Sequence, residues 1–363
     1  MPSPRVTVLG GGNTAFSVAA NLTLRGVPVA LCEIAGFESA LAPIHQTQEI
    51  HLAGVAAKGV AKVHRVTTDF GEALAFSDLA LLIVPAYAHR PFAEACAPHL
   101  RPGQTVVLMP GTLGALEFAR ILRERGCSGV ALAETDTAPY VCRKVGPDRA
   151  HIWGVVSGLG VGVFPAAQTG RVLDLLSPLF PGCAAYPSVA ASGLGVMNPV
   201  VHPAGVLMNA GRIEYARGEF YFYEEGVTPG VVSVIMKVDE ERRAVGKALG
   251  LDLCPVDEGF HRAGFGPKGD LWATINGSRM LTQLRAPGSL ESRWLTEDVP
   301  YGLAAWVSVG RQYGVQAPTM RALVDIGSAV MGFDAWAAGR GVRELGIEGM
   351  SRERLTAYLK EGR

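Results

Sequence analysis

The chain has 363 residues, 48% hydrophobic and 18% charged, with 33 basic side chains against 33 acidic ones, so it is long enough to bury two cores and too apolar to be disordered. A formal net charge of zero leaves no basic field to hold a phosphate backbone by counterion release and no polybasic stretch to grip an anionic membrane, which excludes nucleic-acid and membrane-surface roles. Glycine, proline or a charge interrupts each apolar run well short of the roughly 20 residues that span a bilayer, so the chain reads as soluble.

Val6 to Leu9 is a short apolar strand, Gly10-Gly11-Gly12 breaks it, and Ala15 to Leu24 carries apolar residues at helical spacing before Gly26 closes the turn. Val27 to Cys32 is a second buried strand ending in Glu33, and Leu79 to Val84 a later one stopped by Pro85. A helix from about His89 to Leu100 follows. Strands at Thr105 to Met109 and Val130 to Ala133 flank a helix at Leu116 to Arg125. Strands without alternation, separated by helices, predict a Rossmann-type doubly wound parallel sheet covered on both faces. Beyond about residue 190 long amphipathic stretches take over, at Pro199 to Arg217, Pro229 to Leu249, Pro300 to Tyr313 and Thr319 to Met331. The expected organisation is therefore a nucleotide-binding domain over residues 1–190 and a mainly α-helical domain over 191–363. Small, charge-free Ser188 to Gly195 is the expected linker.

The opening Met-Pro-Ser-Pro-Arg runs into the first strand with no signal-peptide cleavage region. Six scattered cysteines form no Cys-x-x-Cys pair, which fits reduced thiols. The expected location is the cytoplasm. His45, His51, His64, His89, His99, His151 and His261 show no metal-ligand spacing to one another or to a cysteine, so no metal site is expected. The 45 glycines and 23 prolines carry no period, and no internal repeat is found.

Gly10-Gly11-Gly12-Asn13-Thr14-Ala15 has the spacing G-x-G-x-x-A. The first Gly permits a tight turn, the second lets backbone approach a pyrophosphate, and Ala15 lets helix and strand pack closely. Amides at the helix start then face the phosphates. The turn sits between a strand and a helix, and acidic Glu33 ends the second strand roughly 20 residues on, where a carboxylate accepts from a ribose 2′-hydroxyl and repels a 2′-phosphate. NAD(H) is favoured, while nearby Arg25 keeps NADP(H) open.

In the second half, Asn198-Pro199-Val200-Val201-His202-Pro203 opens a helical stretch, which puts His202 near a helix start. The positive dipole end disfavours an imidazolium there, so a useful acid near neutral pH needs a carboxylate partner. Arg293-Trp294-Leu295-Thr296-Glu297-Asp298 supplies a cation and two acids ahead of another helix, where Asp298 is also a candidate N-cap. The plainer alternatives are a structural histidine and an Arg293–Glu297 surface pair. The aromatic run Tyr215 to Tyr223 reads by default as core or subunit contact, with a pocket wall for an apolar amino-acid side chain as the minority reading.

These residues carry a family resemblance. Asn198 to Glu214 resembles the substrate-domain signature of the octopine/nopaline (opine) dehydrogenases, Arg293 with Asp298 resembles their second signature, and Glu134-Thr135-Asp136-Thr137-Ala138-Pro139-Tyr140 is similar to their Ala-Glu-Thr-x-x-x-Pro-Tyr stretch. The resemblance runs nearly the whole chain. It implies condensation of the amino group of an L-amino acid with an α-keto acid, commonly pyruvate, and reduction of the imine by NAD(P)H. It further implies His202 as acid/base, Asp298 as its orienting partner and Arg293 in the substrate site, with Glu297 leaving the dyad open by one position. Both substrates carry α-carboxylates, so a cation is needed; Arg143 and Arg212 compete with Arg293 for that task. Glu134 and Thr135 end the last cofactor-domain strand, where they either hold the amino-acid substrate or cap a turn. Phe37 to Ile44 matches no pattern.

Two other readings are weighed. A keto-acid reductase similar to ketopantoate reductase would lean on a lysine early in the helical domain, yet none precedes Lys237 there. A non-catalytic dinucleotide-binding regulator has no need of His202, Arg293 and Asp298 together. The expected partners are small molecules, with a homodimer possible through apolar C-terminal helices.

Overall fold

A computed structural model describes residues 4–363. The chain divides into two compact units, one of residues up to Gly193 together with Tyr358–Arg363, the other Leu194–Ala357.

The first unit carries strands β1 (Val6–Leu9), β2 (Val29–Cys32), β3 (Glu49–Gly54), β4 (Gly59–Lys62), β5 (Arg65–Thr67), β6 (Leu79–Leu82), β7 (Thr105–Leu108), β8 (Ala131–Thr135), β9 (Tyr140–Gly146), β10 (Arg149–Val155), β11 (Gly160–Phe164) and β12 (Ala184–Ala185). Its helices are α1 (Asn13–Leu24), α2 (Phe70–Phe76), α3 (His89–Cys96), α4 (Gly114–Glu124), α5 (Thr169–Leu176) and α6 (Val189–Gly195), the last running across the boundary. The main sheet has the order β12-β11-β8-β7-β6-β1-β2-β5. From β5 to β8 all neighbours are parallel, and β11 then joins β8 antiparallel. This is the doubly wound order expected. The chain leaves β1 toward β2 on one side and returns to β6 on the other, so the strand order reverses beside β1, the position where open α/β sheets bind ligands. Every residue of β1, β2, β6 and β7 is buried, which is why these strands read as unbroken apolar runs rather than as alternation.

A second, four-stranded sheet of order β4-β3-β10-β9 was not legible in the sequence. Its inner face, including Ile50, Leu52, Ala61, Ala150 and Ile152, is buried, while Val60, Val145, Trp153 and Val155 face outward. Helix α1 packs against this sheet as well as the first, so its residues Ala15 to Leu22 are all buried. Asn21 pins the arrangement: its Nδ2 donates to the Tyr140 hydroxyl at 2.7 Å and its Oδ1 accepts from the Ala57 amide at 3.2 Å.

The second unit holds helices α7 (Asn198–Met208), α8 (Ala210–Ala216), α9 (Pro229–Ala248), α10 (Val256–Arg262), α11 (Leu271–Asn276), α12 (Arg293–Thr296), α13 (Ala304–Gln312), α14 (Pro318–Met331) and α15 (Ala335–Ala338), with α16 (Arg352–Glu361) leading back to the first unit. Two short π-helical turns, Phe222–Gly226 and Asp298–Leu303, interrupt the pattern. The stretch from Pro300 to Tyr313 therefore begins as a π-turn and becomes α-helical only at Ala304.

One expectation is corrected here. Ser188 to Gly195 is not a flexible linker: Val189–Gly195 is helical, and Ser188, Val189, Ala190, Ala191, Ser192 and Leu194 are buried. Its residues are small because it lies tightly on β11, where a Cβ built on Gly162 would fall 2.1 Å from Ser192 Oγ and 2.4 Å from the Ser188 carbonyl oxygen. The expected result for Gly162→Ala is a loss of about 1–3 kcal/mol of stability, read as a lower midpoint in urea unfolding. An unchanged midpoint would show that the contact is loose.

Candidate active site

The glycine turn is shaped by what surrounds it. Gly10 has φ +118°, and a Cβ there would lie 2.6 Å from the Ile83 carbonyl oxygen at the end of β6. A Cβ on Gly11 would lie 2.8 Å from Ala40 Cβ and 2.9 Å from Glu33 Oε2. Gly12, by contrast, has nothing within 4 Å of its Cβ position. It is exposed together with Asn13, and no side chain caps the first turn of α1. Open space, unbonded first-turn amides and a positive helix end together fit a pyrophosphate. Glu33 ends β2 as expected and is nearly enclosed, with Oε1 accepting from the Ile34 amide at 2.8 Å. Burial pushes its carboxyl above the usual range, while the Ile34 and Gly11 amides and then the Lys144 ammonium pull it back. The residues present thus fit a dinucleotide: Gly10, Gly11, Gly12, Asn13, Thr14 and Ala15 could hold its phosphates and Glu33 a ribose.

Lys144 is a neighbour that sequence reasoning missed. It comes from β9 in the second sheet, its amide donates to Asn13 Oδ1 at 2.9 Å, and its ammonium donates to the Ala40 carbonyl at 3.0 Å and sits 3.6 Å from the centre of the Phe16 ring. The unmatched segment from Phe37 to Ile44 is what supplies Ala40. It forms two short 3-10 turns beside the glycines.

In the second unit the structure brings His202 and Asp298 together. His202 lies in the middle of α7, and its Nδ1 is 2.8 Å from Asp298 Oδ2 at the start of the second π-turn. Both side chains are about nine-tenths buried, at 10% and 11% exposure. The one-position ambiguity is thereby resolved geometrically: Glu297 faces Arg293, and Asp298 faces the imidazole rather than capping a helix. An ionised carboxylate only accepts, so Nδ1 carries the hydrogen in the neutral ring and Nε2 keeps the lone pair. Nε2 in turn meets the Tyr223 hydroxyl at 3.2 Å. The Trp294 ring lies flat on the imidazole, with centroids 4.4 Å apart and planes at 7°, and Phe222 meets Trp294 edge-on at 4.6 Å. Tyr223 and Trp294 were not singled out in sequence. The aromatic run had read by default as core or subunit contact, and the π-turn Phe222–Gly226 carries Tyr223 to the nitrogen.

The other candidates are placed as follows. Arg293 is half-exposed and donates through Nε to Glu297 Oε2 at 2.7 Å, the surface pair that was the plainer alternative. Arg212 pairs with Glu225 and lies 4.1 Å over the Phe220 ring. Arg143 belongs to β9 of the first unit. Glu134 is fully buried, its Oε1 accepting from the Leu113 amide and its Oε2 from the Ala115 amide, both at 3.0 Å. It holds the start of α4, as the capping alternative has it. Thr135 is equally buried and donates to the Thr137 carbonyl at 2.7 Å, a turn role.

Comparison with known proteins adds to this. Residues 185–331 match the family described as NAD/NADP octopine/nopaline dehydrogenase, alpha-helical domain. Over 96% of its length the chain is 32% identical to an opine dehydrogenase of Arthrobacter sp. (strain 1C), of which it covers 97%. The chain belongs to the opine dehydrogenase family. It is accordingly an NAD(P)-dependent oxidoreductase. The fold agrees with octopine dehydrogenase in complex with NADH and agmatine, at TM-score 0.80 and 20% identity over 99% of this chain and 98% of that one. Further complexes of that enzyme, holding NADH with L-arginine or with pyruvate, match at TM-score 0.78, 20% identity and the same coverage. Yersinopine dehydrogenase with NADP+ matches at TM-score 0.74 and 14% identity, again over 99% and 98%. No described helix is long and apolar enough to cross a membrane.

Asp136, in the stretch similar to the family, gives a pH test. Its Oδ1 accepts from the Gly160 amide at 3.0 Å and its Oδ2 meets the Tyr186 hydroxyl at 3.2 Å, yet burial pushes its pKa from an ordinary 3.8 up to about 6. The folded protein therefore favours the protonated form: this group's contribution is full below about pH 4 and is lost as pH rises toward 6. Asp136→Asn keeps the acceptor and cannot titrate. Relative to it, the wild type should lose unfolding free energy between pH 4 and 6 and run parallel above. Parallel curves throughout would show that the carboxyl titrates normally.

Proposed function

We propose that the protein condenses the amino group of an L-amino acid with an α-keto acid, pyruvate in the first place, and reduces the resulting imine to an N-(carboxyalkyl)amino acid, reversibly and in the cytoplasm. The observation that carries this reading is the buried pairing of His202 with Asp298. Family membership and the NADH complexes of octopine dehydrogenase with L-arginine and with pyruvate support it.

Bound at the glycine turn, NAD(P)H supplies hydride to carbon. The remaining work falls to the chain's own residues. Dehydration of a carbinolamine needs a proton on the departing oxygen, and His202 carries one when protonated. Asp298 fixes the ring through Nδ1 and stabilises the positive charge when Nε2 is also protonated, so the imidazole serves as acid in one direction and base in the other. A short ionic hydrogen bond of this kind is worth about 1.5–3 kcal/mol. Arg293, half-exposed beside Trp294, is assigned to a substrate carboxylate, a planar group that a guanidinium binds through two donors. Glu33 is assigned to the adenosine ribose and sets the preference for NADH.

The decisive assay mixes the protein with NADH, pyruvate and a panel of L-amino acids and follows NADH absorbance. Turnover is expected only when both partners are present; oxidation by the keto acid alone would make the protein a carbonyl reductase. His202→Ala is expected to lower kcat by about 100- to 10,000-fold while leaving NADH affinity nearly unchanged. In fluorescence titrations NADH should bind more tightly than NADPH, and Glu33→Ala should shift the ratio by on the order of tenfold toward NADPH. An unchanged ratio would remove Glu33 from the cofactor site.

A further inference from the structure

In this conformation both nitrogens of His202 are engaged, Nδ1 by Asp298 and Nε2 by the Tyr223 hydroxyl, and Trp294 lies against the ring. A proton on Nε2 therefore has a phenolic oxygen, not solvent, as its immediate neighbour. We propose that Tyr223 is a catalytic residue that passes the proton between His202 and the substrate. The proposal rests on the imine-reducing reading above.

The chemistry balances without an added reagent. Starting from the imidazolium, the Nε2–H bond breaks as a new O–H bond forms at Tyr223. The tyrosine's original O–H breaks at the same time and its hydrogen goes to the carbinolamine hydroxyl. The C–O bond then cleaves with its electron pair, water leaves, and the nitrogen lone pair closes the C=N bond as an iminium ion. His202 ends neutral and Tyr223 ends as it began. Hydride addition to the iminium carbon gives the neutral amine with no further proton, and the reverse sequence serves oxidation.

The surroundings suit such a relay. A phenol that ionised would stop passing hydrogen on, and here burial, with the nearby Asp298 carboxylate, holds Tyr223 well above its ordinary range. Its position is fixed by the π-turn Phe222–Gly226, in which Phe222 packs edge-on against Trp294 while the next residue reaches Nε2. Phe222 is itself seated over Gly205 on α7, where a Cβ would come within 2.5 Å of its ring. The relay residue and the imidazole thus share one support. A hydroxyl both donates and accepts, so it serves Nε2 in either protonation state, which a purely accepting or purely donating neighbour would not.

The test is Tyr223→Phe, which removes the hydroxyl and keeps the ring. The expected result is a fall in kcat of about 100-fold, with NADH affinity and the KM for the keto acid nearly unchanged. Rates in mixtures of light and heavy water separate a relay from a role in positioning. With two hydrogens in flight the wild-type rate should bow with deuterium fraction, and the variant's residual rate should follow a straight line. A variant retaining kcat within about threefold, or a straight line for the wild type, overturns the relay. The wild-type measurement stands even where the variant fails to fold. Loss of activity in His202→Ala with full activity in Tyr223→Phe overturns the relay alone, whereas a wild type inactive with every keto acid and amino acid overturns it together with the imine-reducing reading.

Discussion

A 2.8 Å hydrogen bond between two side chains 96 positions apart organises the helical unit. Burying an imidazole and a carboxylate is costly unless each finds a partner, and here each is the other's. The surrounding elements serve that meeting. Helix α7 is buried from Pro199 to Val206, so the histidine is held by a rod rather than a loop. The carboxylate opens a π-turn, in which the extra residue per turn alters which side chains face inward. Trp294 lies flat against the ring and covers one of its faces. The pair is thereby set before any substrate arrives, which is the condition under which proton transfer needs little reorganisation.

The glycine turn obeys a different constraint, that of space. Two glycines are required because β6 and the segment after β2 crowd them, while the third opens outward. The charges are also arranged in opposition: Glu33 and Lys144 act on each other across the same turn, each partly desolvated. Any ligand charge brought to this turn meets both the carboxylate and the ammonium, so what it experiences is a difference between an attraction and a repulsion.

What could be read in the sequence follows from the range of the interactions involved. The parallel core was legible because strands buried on both faces are apolar throughout and the helices between them have their own period. The glycine spacing and Glu33 were legible because they lie within one βαβ unit. The second sheet was not, although β3 alternates buried and half-buried residues, because its central pairing joins His51 with Arg149 and no local pattern announces a partner so distant. Ser188 to Gly195 misled for a related reason: small residues signal either flexibility or close packing, and only the neighbouring Gly162 decides which. The residues His202 and Asp298, which the structure brings together, could be named from residue type and resemblance. Tyr223 could not, since it lies in a π-turn that breaks helical periodicity, and Trp294 could not, since its contact with the imidazole joins residues 92 positions apart.

The stretch from Glu134 to Tyr140 shows how a family-like motif can owe its residues to architecture. It joins β8 of the main sheet to β9 of the second, and its polar residues hold that junction. Glu134 receives the amides at the start of α4, Thr135 closes the turn onto Thr137, Asp136 receives the Gly160 amide, and Tyr140 accepts from Asn21 of the helix packed between the sheets. Two consequences follow. The carboxylate of Glu134 accepts a backbone amide on each oxygen and is closed to solvent, so it ties the end of β8 to the start of α4. Yet the same junction delivers β9, and with it Lys144, to the glycine turn. The motif therefore reaches the glycine turn at second hand, by fixing where the second sheet meets α1, and its residues position the strand that follows it.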